Sequence, residues 1–270
     1  MDGVDYVMTE HPAWIPARDG VARLRVLHMA DGGRWLVQAT GDSFALHELV
    51  PSATKPTVDV FRLPPQAIRE MPQLAAALSG LGSVARFRTS NLWEAIGTAA
   101  IRQMHRATHG AGLYRQFCQA YGEYLKLPTG EGYWLFPTPD VVLSLDPEQF
   151  AAVRLGTKRG VLRDAATTHH RHGQQWQTMP PLRLVDELRR IPRVGQWTAH
   201  AAASDWSNDW ALYPGGDQSL RTWARRAAPD YDWPTNERAF ANFWRMLTRT
   251  HLGVVTALTL AWGNRHADTT

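Results

Sequence analysis

The chain is poor in reactive sulfur and in lysine. Cys118 is the single cysteine among 270 residues. One thiol cannot close a disulfide within the chain, and it cannot hold an iron–sulfur cluster, which typically takes four thiolates. Lysine occurs only at positions 55, 126 and 158, so the cations are overwhelmingly arginine. Arginine suits bidentate phosphate contacts, although coding bias gives the same composition. No apolar run approaches the roughly 20 residues that a membrane-spanning helix needs. The opening "MDGVDYVMTEHPAW" is acidic and polar, unlike a signal peptide, so a cytoplasmic protein is expected. Internal repeats, low-complexity segments and a Gly-rich nucleotide loop are also missing.

What is present is an ordinary globular composition, 44% hydrophobic and 20% charged, with a net charge of +4. Residues 1–88 carry nine basic and nine acidic side chains, and residues 89–270 carry twenty against sixteen. The whole positive excess therefore lies in the second part.

The period of the hydrophobic pattern changes at the same place. In "ARLRVLHMADGGRWLVQAT", two alternating runs, Ala22–Met29 and Trp35–Thr40, flank Asp31-Gly32-Gly33, a strong hairpin signal. "TVDVFRL" predicts another strand, and "QLAAALSGLG" a short helix. From about Asn91 the apolar positions fall at helical spacing, as in Trp93, Ile96, Gly97, Ala100, Ile101 and Met104. "FPTPDVVLSLDPEQFAAVRL" predicts two short helices opened by Thr-Pro-Asp and Asp-Pro-Glu. A helix follows from Lys158 to about Thr168, then a polar loop "HHRHGQQW", then four more helical stretches. The last, "AFANFWRMLTRTHLGVVTALTLAW", is expected to break near Gly253. The fold class is α+β: a small antiparallel β-rich unit over 1–88, then an all-α unit over 89–270.

Two short motifs carry chemistry. In "LRRIPRVGQWTA", Leu184, Leu188 and Ile191 mark the buried face of a helix, Pro192 stops it, Val194 can pack between helices, and Gly195 allows close backbone approach. A tight turn before a second helix leaves N–H groups unpaired at the positive end of a helix dipole. Such a turn can bind a phosphate oxygen, or it can be a plain interhelical connection. Downstream, Asp217 in "YPGGDQSLRTWARR" is either a helix N-cap or a catalytic carboxylate.

Together these stretches resemble the helix-hairpin-helix DNA glycosylase superfamily, and within it the 3-methyladenine DNA glycosylase II (alkylation-repair) branch. "LWEAIGTAAIRQMHRA" is similar to that branch's helix ending in Ile-Leu-Gly-Gln, with Gln103 on the glutamine. "FPTPDVVLSLDPEQFAAVRLGTKRGVLRDAA" and "ALTLAW" resemble two further segments in the same order, so the similarity spans roughly residues 90–265.

The resemblance implies two helical subdomains with a cleft between them, the all-α part of the fold. It implies a monomer that binds double-stranded DNA and flips a damaged nucleotide into the cleft. Backbone groups of Ile191, Pro192, Arg193, Val194, Gly195 and Gln196 would hold a phosphate, with a monovalent cation on the turn carbonyls and no other cofactor or metal. Gln103 and Met104 would contact DNA, Met104 as the wedge that fills the vacated stack. Met104 reads equally well as a core residue at helical spacing. Asp217 would be catalytic, and Trp197, Ala201, Trp262 and Trp93 would line the substrate pocket. With twelve Trp in the chain, each also reads as core.

Glycosidic cleavage passes through an oxocarbenium-like sugar, which an ionised carboxylate stabilises. An alkylated purine is already cationic, so it leaves with little acid help and favours an electron-rich aromatic slot. In branches that also cut the backbone, the position of Trp197 is a Lys that forms a Schiff base. The expected activity is therefore monofunctional release of alkylated purines in base excision repair.

Two positions depart from the pattern. Arg193 replaces the first hairpin glycine, and Ala201 stands where an aromatic is frequent, which implies a wider pocket. Two other readings stay open: an enzyme redirected to another N-glycoside or bulky adduct, and a non-catalytic DNA-binding module. His169, His170 and His172 read as part of a loop rather than as metal ligands.

Overall fold

The computed structural model describes residues 3–267. Its first part holds two sheets. β1 (Tyr6–Val7) pairs in parallel with β7 (Val84–Phe87), whose other edge takes β6 (Val58–Phe61) antiparallel. The second sheet is antiparallel, in the order β2 (Ile15–Pro16), β3 (Arg23–His28), β4 (Arg34–Thr40) and β5 (Ser43–Val50). The predicted hairpin forms, with His28 opposite Arg34.

Both faces of the four-stranded sheet are covered, which is why β3 and β4 carry nearly continuous buried runs. Leu27, Trp35, Val37 and Ala39 pack on Val7, Ala85 and Phe87 of the other sheet. Leu24, Val26 and Leu36 pack on Leu127, Tyr133 and Leu135, around the hairpin of β8 (Tyr124–Lys126) and β9 (Gly132–Trp134). Period 2 alternation therefore holds along each strand while residues of both alternating sets are buried, Arg25 among them.

The helices form two packed groups. One contains α2 (Leu92–Arg102), α3 (Ala107–Tyr121), α4 (Pro139–Ser144), α5 (Pro147–Ala152), α6 (Arg159–Trp176), α7 (Pro181–Leu188) and α8 (Gln196–Ser207). The other contains α9 (Gln218–Ala227), α10 (Glu237–Thr248) and α11 (Leu252–His266), joined by α1 (Pro72–Ser79) from the first part of the chain. Leu74 and Leu78 of α1 are fully buried against this second group. No helix among the described residues is long and apolar enough to cross a membrane.

Two expectations need correction. The break before α11 falls at Arg249, at φ +47, rather than at Gly253, which lies inside α11 and lets Ala211 N approach. The "HHRHGQQW" stretch is not a loop: α6 continues through it to Trp176. It stays helical because His169 packs against Trp93 and Trp176, and His172 stacks on Trp176. His170 Nε2 meets Asp140 Oδ1 of α4 at 2.9 Å.

Burial gives these histidines a pH signature. Desolvation lowers the pKa of His169 to about 4, and it also lowers those of His11 and His28. The unfolded chain takes up protons at these sites near pH 6.5, whereas the folded chain does so only at lower pH. Stability is therefore full above about pH 6.5 and is lost as the pH falls toward 4. His169→Phe keeps the aromatic packing and removes the titration. Its Tm should fall less steeply than wild type between these pH values, and an unchanged slope would show that His169 is not a source of the acid sensitivity.

Candidate active site

The turn between α7 and α8 is built as the sequence implies, with one difference. Ile191 and Val194 are buried, so their side chains anchor the turn in the core and only their backbone faces outward. Ile191 N donates to Leu188 O, and Val194 N donates to Ile191 O. Among the described residues, no acceptor takes the N–H of Arg193, Gly195, Gln196 or Trp197. These donors lie at the N-terminal end of the 12-residue α8, where the helix dipole is positive.

Arg193 sits at φ +66, a left-handed conformation that costs an L side chain about 1 kcal/mol. Its guanidinium does not hang free over the turn. It reaches α6, where it pairs with Asp164 and packs on Gly160, whose missing Cβ makes the room. Gly195 is the opposite case. Its φ of −82 is open to any residue, and a Cβ there would meet nothing within 4 Å. The fold does not require a glycine at 195, so the open space outside it becomes the informative feature.

Asp217 caps α9, and its carboxylate is held on three sides. Oδ1 accepts from Ser219 N at 2.9 Å and Leu220 N at 3.2 Å. Oδ2 accepts from the indole Nε1 of Trp197 at 2.9 Å. A carboxylate has roughly four lone-pair positions, and the Tyr213 hydroxyl also faces this carboxylate. Trp197 is the second residue of α8, and it thereby ties the free N–H groups of the hairpin to the carboxylate. Beside it, burial pushes the Tyr213 hydroxyl well above its ordinary pKa, and the Asp217 charge adds to the effect.

Two concavities flank this unit. A groove of about 540 Å³ runs past Gln196 and Trp197 to the exposed Arg238 and Arg245 of α10. A narrower cleft of about 260 Å³ opens where the two helical groups meet. Its walls include Ala201, buried on α8, and Tyr213, Trp223 and Trp210. The methyl group of Ala201 leaves room that a larger side chain would fill. Trp223 lies flat against Gly263 of α11, where any Cβ would clash with its ring.

The floor of the cleft is a buried ion network. Arg86, only 2% exposed, donates Nε to Glu10 Oε1 at 2.7 Å, pairs with Asp205 and Asn208, and lies 4.7 Å from the Trp210 ring centre. Asp205 also accepts from Thr89 Oγ1 at 2.7 Å and faces His11 Nε2 at 3.5 Å. Although burial opposes its charge, His11 and Arg86 hold the Asp205 carboxyl well below the usual carboxylate range. This network joins α8 to β7, so the cleft is braced by the sheet.

The remaining residues divide cleanly. Met104 is 92% exposed at φ +62, just past α2, which excludes the core alternative. Gln103 ends α2, and its carbonyl accepts from Nζ of the buried Lys158 at 2.5 Å, a bond that fixes the Met104 loop. Trp93 is 3% exposed and donates Nε1 to Pro137 O at 2.7 Å. It is a core residue and lines no cleft, because its helical face points into the first group. Trp262 is half-buried, stacks on His266 at 4.3 Å, and stays outside the cleft wall that Trp223 supplies. Sequence reading missed Glu10, Arg86, Trp210, Tyr213, Trp223, Arg238 and Arg245. Trp210, Tyr213 and Trp223 lie within seven residues of Asp217 and were within reach of local inspection, whereas the others lie farther along the chain.

No family model and no curated protein matches the sequence. Solved structures do match. The 8-oxoguanine glycosylase/lyase of Clostridium acetobutylicum, in complex with double-stranded DNA containing cytosine opposite 8-oxoguanine, superposes with a TM-score of 0.71 at 14% identity, covering 96% of this chain and 89% of its own. The 3-methyladenine DNA glycosylase of Archaeoglobus fulgidus gives 0.66 at 13% identity, covering 97% of each chain. A DNA-3-methyladenine glycosidase of Bacillus halodurans gives 0.52 at 15% identity, with 78% of this chain and 93% of that one covered. The β-rich first part, the two helical groups and the hairpin between α7 and α8 together give this chain the fold of the helix-hairpin-helix DNA glycosylases.

Proposed function

We propose that the protein is a monofunctional DNA N-glycosylase that flips a damaged nucleotide out of the duplex, cuts its N-glycosidic bond and leaves an abasic site for base excision repair. The observation that carries this reading is the bond from Trp197 to Asp217. It makes the phosphate-binding end of α8 and the carboxylate one rigid unit, so a strand held at the hairpin presents its sugar to Asp217.

In this reading the N–H groups of Gly195, Gln196 and Trp197 grip one phosphate, and Arg238 and Arg245 hold the strand along the adjoining groove. Met104 enters the stack as the flipped nucleotide leaves it, with Gln103 beside it. As the bond to the base stretches, positive charge builds on the sugar. Asp217 stabilises that charge and orients the attacking water. The base is an alkylated purine, which is cationic and departs without an acid. The cleft suits it with aromatic walls and the carboxylates of Glu10 and Asp205. The carbonyls of Arg190, Pro192 and Val194 accept no bond among the described residues. They are hard oxygens of the kind a monovalent cation takes, and a potassium or sodium ion there would neutralise the gripped phosphate. The protein would act as a monomer in the cytoplasm.

The Clostridium protein is a glycosylase/lyase, but lyase chemistry needs an amine nucleophile. The indole of Trp197 fills that place here. Lys158 Nζ is tied to Gln103 O, and no lysine lines the cleft. Borohydride treatment of the protein with abasic DNA should therefore trap no covalent adduct, and base release should leave the strand uncut until alkali is added. A trapped adduct or direct strand scission would contradict the monofunctional assignment.

A further inference from the structure

We propose that Glu10 and Asn264 form a base-reading pair at the back of the cleft, selecting flipped purines whose edge offers an N–H donor beside an acceptor. The inference rests on the glycosylase reading and names the substrate class of the same cleft.

Glu10 lies on the segment after β1 and lines the cleft. Its side chain is 22% exposed, and Oε1 is taken by Arg86 Nε at 2.7 Å. Oε2 has no donor among the described residues and is not enclosed by protein. Arg86 is fixed by Asp205 and Asn208, so the orientation of Glu10 is set from behind. Asn264 of α11 lines the same cleft. Its Oδ1 accepts from Tyr6 Oη at 2.5 Å and from Thr9 N at 3.3 Å. That fixes the amide orientation and leaves Nδ2 as a donor toward the cleft. Because Thr9 is the chain neighbour of Glu10, the Thr9 bond also ties the segment that carries Glu10 to α11.

The lining of the cleft thus includes one charged acceptor and one neutral donor together with aromatic walls. The edges of guanine and adenine complement this pair, since O6 or a ring nitrogen accepts while N1–H or the exocyclic amine donates. A ring of the same shape without an N–H leaves the Glu10 carboxylate desolvated and unpaired. Sites built on buried hydrogen bonds reject analogues for that reason. Neither residue belongs to the hairpin or to the Asp217 loop, so the pair governs which base is accepted rather than how the bond breaks.

The test is titration calorimetry with free bases capped at N9 in place of the sugar: 9-methylguanine, its cationic analogue 7,9-dimethylguaninium, and 9-methylpurine, which lacks any N–H. Wild type should bind both guanine derivatives at least tenfold more tightly than 9-methylpurine. Glu10→Gln keeps the bond from Arg86 on its amide oxygen, so its NH2 turns to the cleft and the acceptor becomes a donor. In that variant the preference should fall to within about threefold. Wild type that binds 9-methylpurine as well as the guanines, or binds none of the three, would overturn the pair. A preference that survives Glu10→Gln would do the same. The glycosylase reading stands in each of these cases as long as methylated duplex DNA still loses its bases, and it fails only when that release is absent.

Discussion

Asp217→Asn should slow single-turnover base release from methylated duplex DNA by about 10³-fold, with affinity for that DNA held within about twofold. The substitution removes the charge that faces the sugar and little else. Asn is as good an N-cap as Asp, so α9 keeps its start. One bond is forfeited: an amide cannot accept from Ser219 and Leu220 on one side and from Trp197 on the other, because one of its two polar atoms is a donor. That loss is about 1 kcal/mol and lowers Tm by roughly 2–4 °C. A rate loss of this size with a Tm change this small separates chemistry from folding. Release that survives the substitution would assign Asp217 to capping alone.

Gly195→Val should weaken duplex DNA binding by about 100-fold, equivalent to about 2.7 kcal/mol, with Tm unchanged or slightly raised. A glycine confined to a closed turn would lower stability when replaced. Gly195 has ordinary φ and nothing within 4 Å of a built Cβ, so the folded chain tolerates the side chain. What the side chain obstructs is the outer space into which the free N–H groups of α8 point. An unchanged affinity would mean that the hairpin is only a connection, which is the plain alternative that the sequence left open.

Arg193 bears on the same question from the other direction. The sequence showed that a residue other than glycine stands at the first hairpin position, but not how it is accommodated. Its side chain is drawn back to Asp164 over Gly160. The left-handed conformation is offset locally, and the face of the turn stays clear for a ligand.

The turn between α7 and α8 and the N-cap at Asp217 were legible because their signals are contiguous. The proline stop and the glycine stand three residues apart, and the N-cap directly opens its helix. The cleft floor was not legible in this way. Glu10 and Arg86 lie 76 positions apart, and Arg86 and Asp205 lie 119 apart. Only the packing of β7 against α8 brings them together. Arg86 sits in the alternating run of a strand, where a buried cation is ordinarily unexpected. The family resemblance placed Trp93 and Trp262 at the pocket, whereas Trp223 and Trp210 line this cleft. Gly263 explains part of this, since its bare backbone lets Trp223 lie against α11. The helical continuity of 169–176 was hidden too, because polar histidines there are stabilised by aromatic contacts from α2 and from their own helix.

The measurement that bears most directly on catalysis is mass-spectrometric identification of what the wild-type protein removes from methylated duplex DNA, with Asp217→Asn alongside. Release of intact 3-methyladenine or 7-methylguanine by wild type alone, leaving an uncut strand with an abasic site, is the predicted result. Full binding of the same DNA with no free base from either protein would contradict an N-glycosylase acting through Asp217.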